Sequence, residues 1–298
     1  MKVALLSDIH GNLPALEAVL AHAGEMKVKQ IWNLGDFTGF GAKPDAVIKL
    51  VKKHKAISII GNYDQKVLKV PEKSDEWKNT KVPEKWFSFH WSYEQLSKKS
   101  IDYLKSLSEN HRETIKNWKV LFCHGSPEAI DEALNDETPQ ERLRDLAKKA
   151  HANIILCGHS HEPFMRFAGG SIFINPGSVG RPFDGDPRAS YAVLSIKKHK
   201  VEVDFFRIDY DVEKAAEAQN AAGLPVEYAE MTRRGISLDD IQKENHSKEK
   251  RREDQDQADA LPISTPEEKV EITREVVQPT EIVKKPAPRR KKVTEEQS

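Results

Sequence analysis

Only two cysteines, Cys123 and Cys157, occur in the 298 residues, which excludes a disulfide framework and leads us to expect a reduced, cytoplasmic protein. Charge of one sign is also missing. Lys and Arg together number 47, as do Asp and Glu, so no global field draws the chain to nucleic acid or membrane. No apolar run is long enough to span a bilayer. The run that starts at Met1 is broken by Ser7-Asp8-Ile9-His10, too early for a secretory signal. The length suits one large domain with a sizeable core, or two small ones.

Short apolar runs at residues 3–6, 31–34, 57–60, 120–122 and 154–156 are bounded by polar residues or glycine, as in strands buried on both faces. Leu13, Leu16, Val19 and Leu20 share one face of a helix that Pro14 can open, and Val47, Ile48, Leu50 and Val51 line a second over residues 44–53. The order is β-α-β-α-β. An aromatic-rich segment, residues 65–118, then intervenes and reads as helical over 93–107, either a lid over a site or a packing layer. Thr138-Pro139-Gln140-Glu141 has the form of a capping box and predicts a helix to about Ala150. Four short strands follow His161, at residues 164–167, 171–174, 191–196 and 201–206, an antiparallel series. A helix near 212–220 and a weak one near 237–243 complete a domain expected to cover residues 1–244. The charged stretch 245–298 reads as a disordered tail, its one feature a basic cluster made by Lys284, Lys285, Arg289, Arg290, Lys291 and Lys292.

Each of the five apolar runs leads into metal-ligand residue types: Asp8-Ile9-His10, Gly35-Asp36, Gly61-Asn62-Tyr63-Asp64, Cys123-His124-Gly125 and Gly158-His159-Ser160-His161. In an α/β sheet, ligands collect outside the carboxyl ends of the strands, where the backbone leaves the sheet and side chains can converge. Asp, Asn and His together suit hard or borderline divalent ions, and the lack of a cysteine cluster argues against a structural zinc site. Singly, an Asp-x-His is often a helix cap, a Gly-Asp a turn, and one His a partly buried polar residue. Together, in this order, they read as one binuclear metal centre.

The ordered set DxH, GD, GNxD, H and GHxH resembles the calcineurin-like metallophosphoesterase superfamily over about residues 1–206. Asn175-Pro176-Gly177-Ser178-Val179-Gly180, followed by Pro187-Arg188-Ala189-Ser190-Tyr191, resembles its small prokaryotic phosphodiesterase branch. The resemblance implies a four-layer α/β/β/α sandwich of two mixed sheets and two divalent ions, Mn²⁺ first, with Fe²⁺, Zn²⁺, Co²⁺ or Ni²⁺ also compatible. It puts Asp8, His10 and His161 on one metal, Asn62, His124 and His159 on the other, and Asp36 between them. Two cations about 3.5–4 Å apart can generate a bridging hydroxide and neutralise charge on the phosphoryl oxygens. Asp64 is expected to hydrogen-bond rather than ligate, and Asn12 to cap the first helix. The implied catalytic set is Asp36, Asn62, His124, Tyr63 and Asp64.

Tyr63 departs from the pattern, because many members of the superfamily carry a histidine there to protonate the leaving oxygen or steady the phosphate. Tyrosine, with a pKa of about 10, donates a hydrogen bond but is a poor proton source. The expectation is therefore a phosphodiesterase for small phosphoesters with good leaving groups: aryl diesters, cyclic nucleotides or nucleoside polyphosphates. A dinucleoside polyphosphate hydrolase, a protein phosphatase, a nuclease, or an interaction scaffold such as the retromer subunit of this fold are the alternatives. The complete ligand set favours catalysis over a scaffold. The absence of an obvious basic stripe before residue 245 argues against a nuclease, although the tail cluster leaves nucleic acid open; the sequence does not decide the oligomeric state. Arg181 and Arg188 are candidates to reach a phosphate as bidentate donors, or to brace a turn. His90 is a candidate to replace the missing donor, or simply packs.

Overall fold

Strand β1 (Lys2–Leu6) alternates strictly, with Val3 and Leu5 in one apolar cluster and Ala4 and Leu6 in another. A strand that feeds two cores lies in an inner layer. In this computed structural model, which describes residues 1–259, β1 pairs in parallel with β2 (Gln30–Asn33), and β2 with β3 (Ile57–Ser58). The crossovers are helices α1 (Leu13–Glu25) and α2 (Pro44–Lys53), as parallel pairing requires. Asn12 caps α1 by accepting the Ala15 N–H at 3.2 Å. Strand β3 stops at Ser58 rather than Ile60, because the Ile60 N–H turns to the Ser108 carbonyl at 3.0 Å.

The intervening segment is α3 (Asn62–Leu68), α4 (Val70–Thr80), α5 (Pro83–Gln95) and α6 (Lys98–Ser106). The single helix expected over 93–107 is two helices. Leu96 is extended, and Ser97 caps α6 while its own N–H and hydroxyl bind Asp45 on α2 at 2.9 and 2.7 Å. The second sheet then forms from β4 (Asn110–Ile115), β5 (Trp118–Cys123), β6 (Ile154–Leu156), β7 (Pro163–Ala168) and β8 (Ser171–Pro176), in the order β4-β5-β6-β8-β7. Helix α7 (Gln140–Ala150) joins β5 to β6; Pro139 is its N-cap, and the Thr138 hydroxyl accepts the Asn135 N–H instead of closing the expected box. β9 (Ala189–Ile196) and β10 (Val201–Ile208) return to the first sheet, in the order β10-β9-β1-β2-β3.

Val3, Leu5, Trp32 and Leu34 meet Phe122, Ile154, Leu156 and Ile174 between the sheets. Leu16, Val19, Val47, Ile48, Val67 and Phe89 cover the outer face of the first sheet, and Leu143 and Leu146 cover that of the second. This is the four-layer α/β/β/α sandwich. α8 (Val212–Ala221), α9 (Val226–Arg234) and α10 (Leu238–Asp259) follow; α9 was not expected, and α10 runs through the boundary expected at residue 244. Leu238 and Ile241 anchor α10, and its later Lys, Arg, Glu and Gln residues are good helix formers. The basic cluster from Lys284 to Lys292 lies outside the described residues.

Candidate metal centre

The predicted residues converge where β1, β2, β5 and β6 end. Asp8, His10, Asp36, His159 and His161 all adopt left-handed backbone, with φ between 46° and 64°. Such a conformation is costly for residues other than glycine and clusters at functional sites. Here it turns each side chain off its strand end toward a common point. The required close approach also explains two glycines. A Cβ on Gly61 would lie 2.1 Å from Asp36 Oδ1, and one on Gly158 2.0 Å from Ser7 Oγ and 2.8 Å from Asp8 Oδ2.

The hydrogen bonds leave a specific set of atoms facing inward. His10 Nδ1 and His124 Nδ1 lie 2.8 and 2.7 Å from the carbonyls of Thr38 and Leu34, and His161 Nδ1 binds the Arg181 carbonyl. A carbonyl only accepts, so each Nδ1 donates, and it is Nε2 that each ring turns to the centre, as a lone pair whenever the ring carries no second proton. Asp36 Oδ1 accepts the Tyr63 N–H at 2.8 Å, and Asp8 Oδ2 accepts the His159 N–H at 3.1 Å. Their other oxygens, Asp36 Oδ2 and Asp8 Oδ1, are buried without a hydrogen-bond partner. Asp36 Oδ2 is 3.6 Å from His10 Nε2 and 3.4 Å from His124 Nε2, and Asp8 Oδ1 is 3.3 Å from His161 Nε2. His10 and His161 face each other Nε2 to Nε2 at 3.3 Å, and Asn62 Oδ1 is 3.1 Å from His124 Nε2.

Lone pairs packed against lone pairs in a dry site need a positive charge among them. Asp8, His10 and His161 form one group with ligand atoms close enough to share an ion, and Asp8, Asp36 and His124 form another. His159 is in neither group; its ring centre is 5.4 Å from that of His124. Burial holds the rings of His10 and His159 neutral, with pKa values lowered to about 3 and about 4, as metal ligation requires. His124 differs. Burial opposes its charge, but Asp36 and Asp8 outweigh burial and push it up to about 9, so the same carboxylates that would hold a cation here attract a proton.

Asp64 is fully buried and accepts from the Phe37, Thr38 and Gly61 N–H groups at 3.3, 3.1 and 3.2 Å and from the Thr38 hydroxyl at 2.8 Å. It fixes the loop that carries Asp36, in the hydrogen-bonding part expected of it. The Asn175–Ser178 turn has a similar part that the sequence did not disclose: Asn175 Nδ2 binds the Gly158 carbonyl and Ser178 Oγ the Asp8 carbonyl.

A cleft of about 480 Å³ opens over the centre, lined by Asp36, Asn62, Tyr63, His159 and His161 together with Arg181, Lys66, Lys81 and Lys85. Asp131 and Asp239 line it too, so the charge is mixed; its lysines come from α3, α5 and the α4–α5 connection and meet only in the fold, without forming a basic stripe in the sequence. The intervening segment is thus both packing layer and cleft wall, since Phe89 serves each. Arg188 is elsewhere, paired with Asp186 at 2.6 Å. His90 stacks on Trp86 at 5.2 Å and faces Glu94, so it does not replace the missing donor.

Comparison with known proteins agrees with this geometry. Residues 1–199 match the calcineurin-like phosphoesterase superfamily domain. The chain is 32% identical over 232 residues to an uncharacterized protein of Methanocaldococcus jannaschii, covering 72% of this chain and 90% of that one. It is 28% identical over 208 residues to phosphodiesterase YfcE of Escherichia coli, covering 65% and 87%. A metallophosphoesterase structure from Sphaerobacter thermophilus superposes with a TM-score of 0.66 at 29% identity, over 79% of this chain and 100% of that one.

Proposed function

The chain belongs to the calcineurin-like phosphoesterase superfamily and is a metal-dependent phosphoesterase, and we propose that it is a phosphodiesterase built around two divalent ions, Mn²⁺ first among them. In this reading Asp8, His10 and His161 hold one ion, and Asn62, His124 and His159 hold the other. Asp36 stands between, its free Oδ2 facing His10 of the first set and His124 of the second. The observation that carries the reading is the pair of orphaned oxygens, Asp8 Oδ1 and Asp36 Oδ2, set among imidazole lone pairs. When bound, such ions supply Lewis acidity and a nucleophile at neutral pH.

The chain's own residues prepare the site for that chemistry. Asp64 holds the Asp36 loop in place, and the Tyr63 N–H holds one Asp36 oxygen so that the other points inward. The Tyr63 ring sits 5.1 Å from His10 and 5.1 Å from Phe89, and burial raises its hydroxyl pKa. It is thus a hydrogen-bond donor to a phosphoryl oxygen and a poor acid. That favours small phosphoesters with good leaving groups, in keeping with the phosphodiesterase name of the Escherichia coli relative. The two free, buried thiols suit a reducing, cytoplasmic setting. Chelator-treated protein is expected to regain hydrolysis of bis-p-nitrophenyl phosphate on addition of Mn²⁺, and Asp36→Asn or His124→Ala to lose it. Full activity in either variant rejects the two-ion reading.

A further inference from the structure

Arg181 is buried to 91%, and its Nε has no hydrogen-bond partner. Its guanidinium lies 3.6 Å over the Phe40 ring and 4.8 Å from the Phe183 ring, so stacking fixes its plane, and it borders the cleft that Tyr63 also lines. Lys66 stands over the ring of that tyrosine. Its ammonium is 5.2 Å from the Tyr63 ring centre and 5.8 Å from that of Phe89, and it lines the same cleft. Among the described residues neither cation has a carboxylate within ion-pair distance. The acidic groups on the cleft wall do not supply one: Asp239 is taken by Lys85 at 2.8 Å, Asp36 faces His10 and His124, and Asp131 forms no ion pair with Lys66. An arginine remains charged even when buried.

We propose that Arg181 and Lys66, which line the same cleft as Tyr63, form an anion-binding subsite beside the ligand cluster, and that the substrate places there a second phosphoryl group in addition to the scissile one. The inference rests on the phosphoesterase reading and narrows its substrate class. In hydrolysis, water oxygen bonds to the scissile phosphorus and its proton passes to solvent. The bond to the leaving oxygen breaks, with the electron pair staying on that oxygen. Where an imidazolium would hand over a proton, two fixed cations stabilise the developing negative charge instead. A planar guanidinium pairs with two phosphoryl oxygens at once. The second phosphoryl group can be joined to the first by an anhydride oxygen or carried on the alcohol of an ester; both offer the same dianionic group to the subsite.

The test is calorimetric titration of Mn²⁺-loaded protein with phosphate, pyrophosphate and 1,2-ethylenediphosphonate. Wild type is expected to bind at least one of the two-phosphorus probes about tenfold or more tighter than phosphate. Preference for pyrophosphate indicates the anhydride spacing, and preference for the diphosphonate the spaced one. Arg181→Gln and Lys66→Met should each reduce that preference about ten- to a hundredfold, the worth of one charge-assisted hydrogen bond, and Arg181→Lys should recover part of it. Binding of Mn²⁺ by the free probes is the same for every variant and cancels. A preference unchanged in both variants, or absent from wild type, overturns the subsite. Because binding needs no turnover, loss of the preference in protein that fails to hydrolyse bis-p-nitrophenyl phosphate supports the subsite and sinks only the diesterase reading. Lys66 is half-buried, so Lys66→Met decides the matter even if Arg181→Gln does not fold.

Discussion

Adding one methyl group at Gly61 tests whether close approach of backbone to carboxylate organises the centre. Gly61 has φ −97° and ψ 172°, ordinary extended backbone, so alanine there carries no conformational penalty and the effect is purely steric. The new Cβ would lie 2.1 Å from Asp36 Oδ1 and 2.3 Å from the Asp36 nitrogen. Ordinary contact requires about 1.3 Å of retreat, by Asp36 or by the first turn of α3, which carries Asn62. Overpacking of this kind costs about 1–3 kcal/mol. For a domain of this size that lowers Tm by about 2–4 °C per kcal/mol. The catalytic effect should be larger than the stability effect, since a misplacement of about 1 Å can cost a hundredfold in rate. The assay is a thermal melt of Gly61→Ala beside kcat on bis-p-nitrophenyl phosphate and bound Mn²⁺. Wild-type Tm, rate and metal content in the variant would refute the packing argument.

Other outcomes follow from single contacts. Burial disfavours the Asp45 carboxylate, but Lys49 and the Ser100 and Ser97 donors outweigh it and hold its pKa below the usual range. A depressed folded-state pKa gives stability that is present above the unfolded value of about 3.9 and is lost as pH falls through the folded one. Urea denaturation should therefore find Asp45→Asn less stable than wild type by about 1.5–3 kcal/mol near pH 6, with the gap closing as pH drops below 4; a gap independent of pH contradicts the assignment. Cys123 and Cys157 are buried and burial raises both thiol pKa values, so neither should react with Ellman's reagent until guanidinium is added. Rapid labelling of the native protein would contradict that. Tyr63→Phe is expected to slow aryl diesters by less than about tenfold, the scale of one neutral hydrogen bond, and Tyr63→His to speed alkyl esters; equal abolition of every substrate by Tyr63→Phe rejects the weak-acid account.

The motifs were legible because each is local: an apolar run followed by Asp, Asn or His needs only the strand and its end. The hydrogen bonds of Asp64 are local in the same way, since they bind the turns it belongs to and faces. What the strand ends do next is tertiary. The left-handed backbone at Asp8, His10, Asp36, His159 and His161 is tolerated by Asp and His better than by most residues, but which of them adopt it is decided by the tertiary packing of the loops. The cleft was invisible because Lys66, Lys81 and Lys85 sit on different turns and helices of one segment and Arg181 lies far along the chain, so they meet only when the segment between β3 and β4 folds over the centre. β4 escaped notice because it is a mostly exposed edge strand with a polar sequence, Asn-His-Arg-Glu-Thr-Ile. The first turns of α10 match the weak helix expected near 237–243, and its continuation past residue 244 escaped notice because high charge mimics disorder once an apolar stripe is missing.

The central claim is two ions held around Asp36. Its most direct test is elemental analysis of protein equilibrated with Mn²⁺ and freed of unbound metal, for wild type and Asp36→Asn side by side. Two ions per chain in wild type and one or fewer in the variant is the predicted result. One ion or none in wild type, or two in the variant, would contradict it.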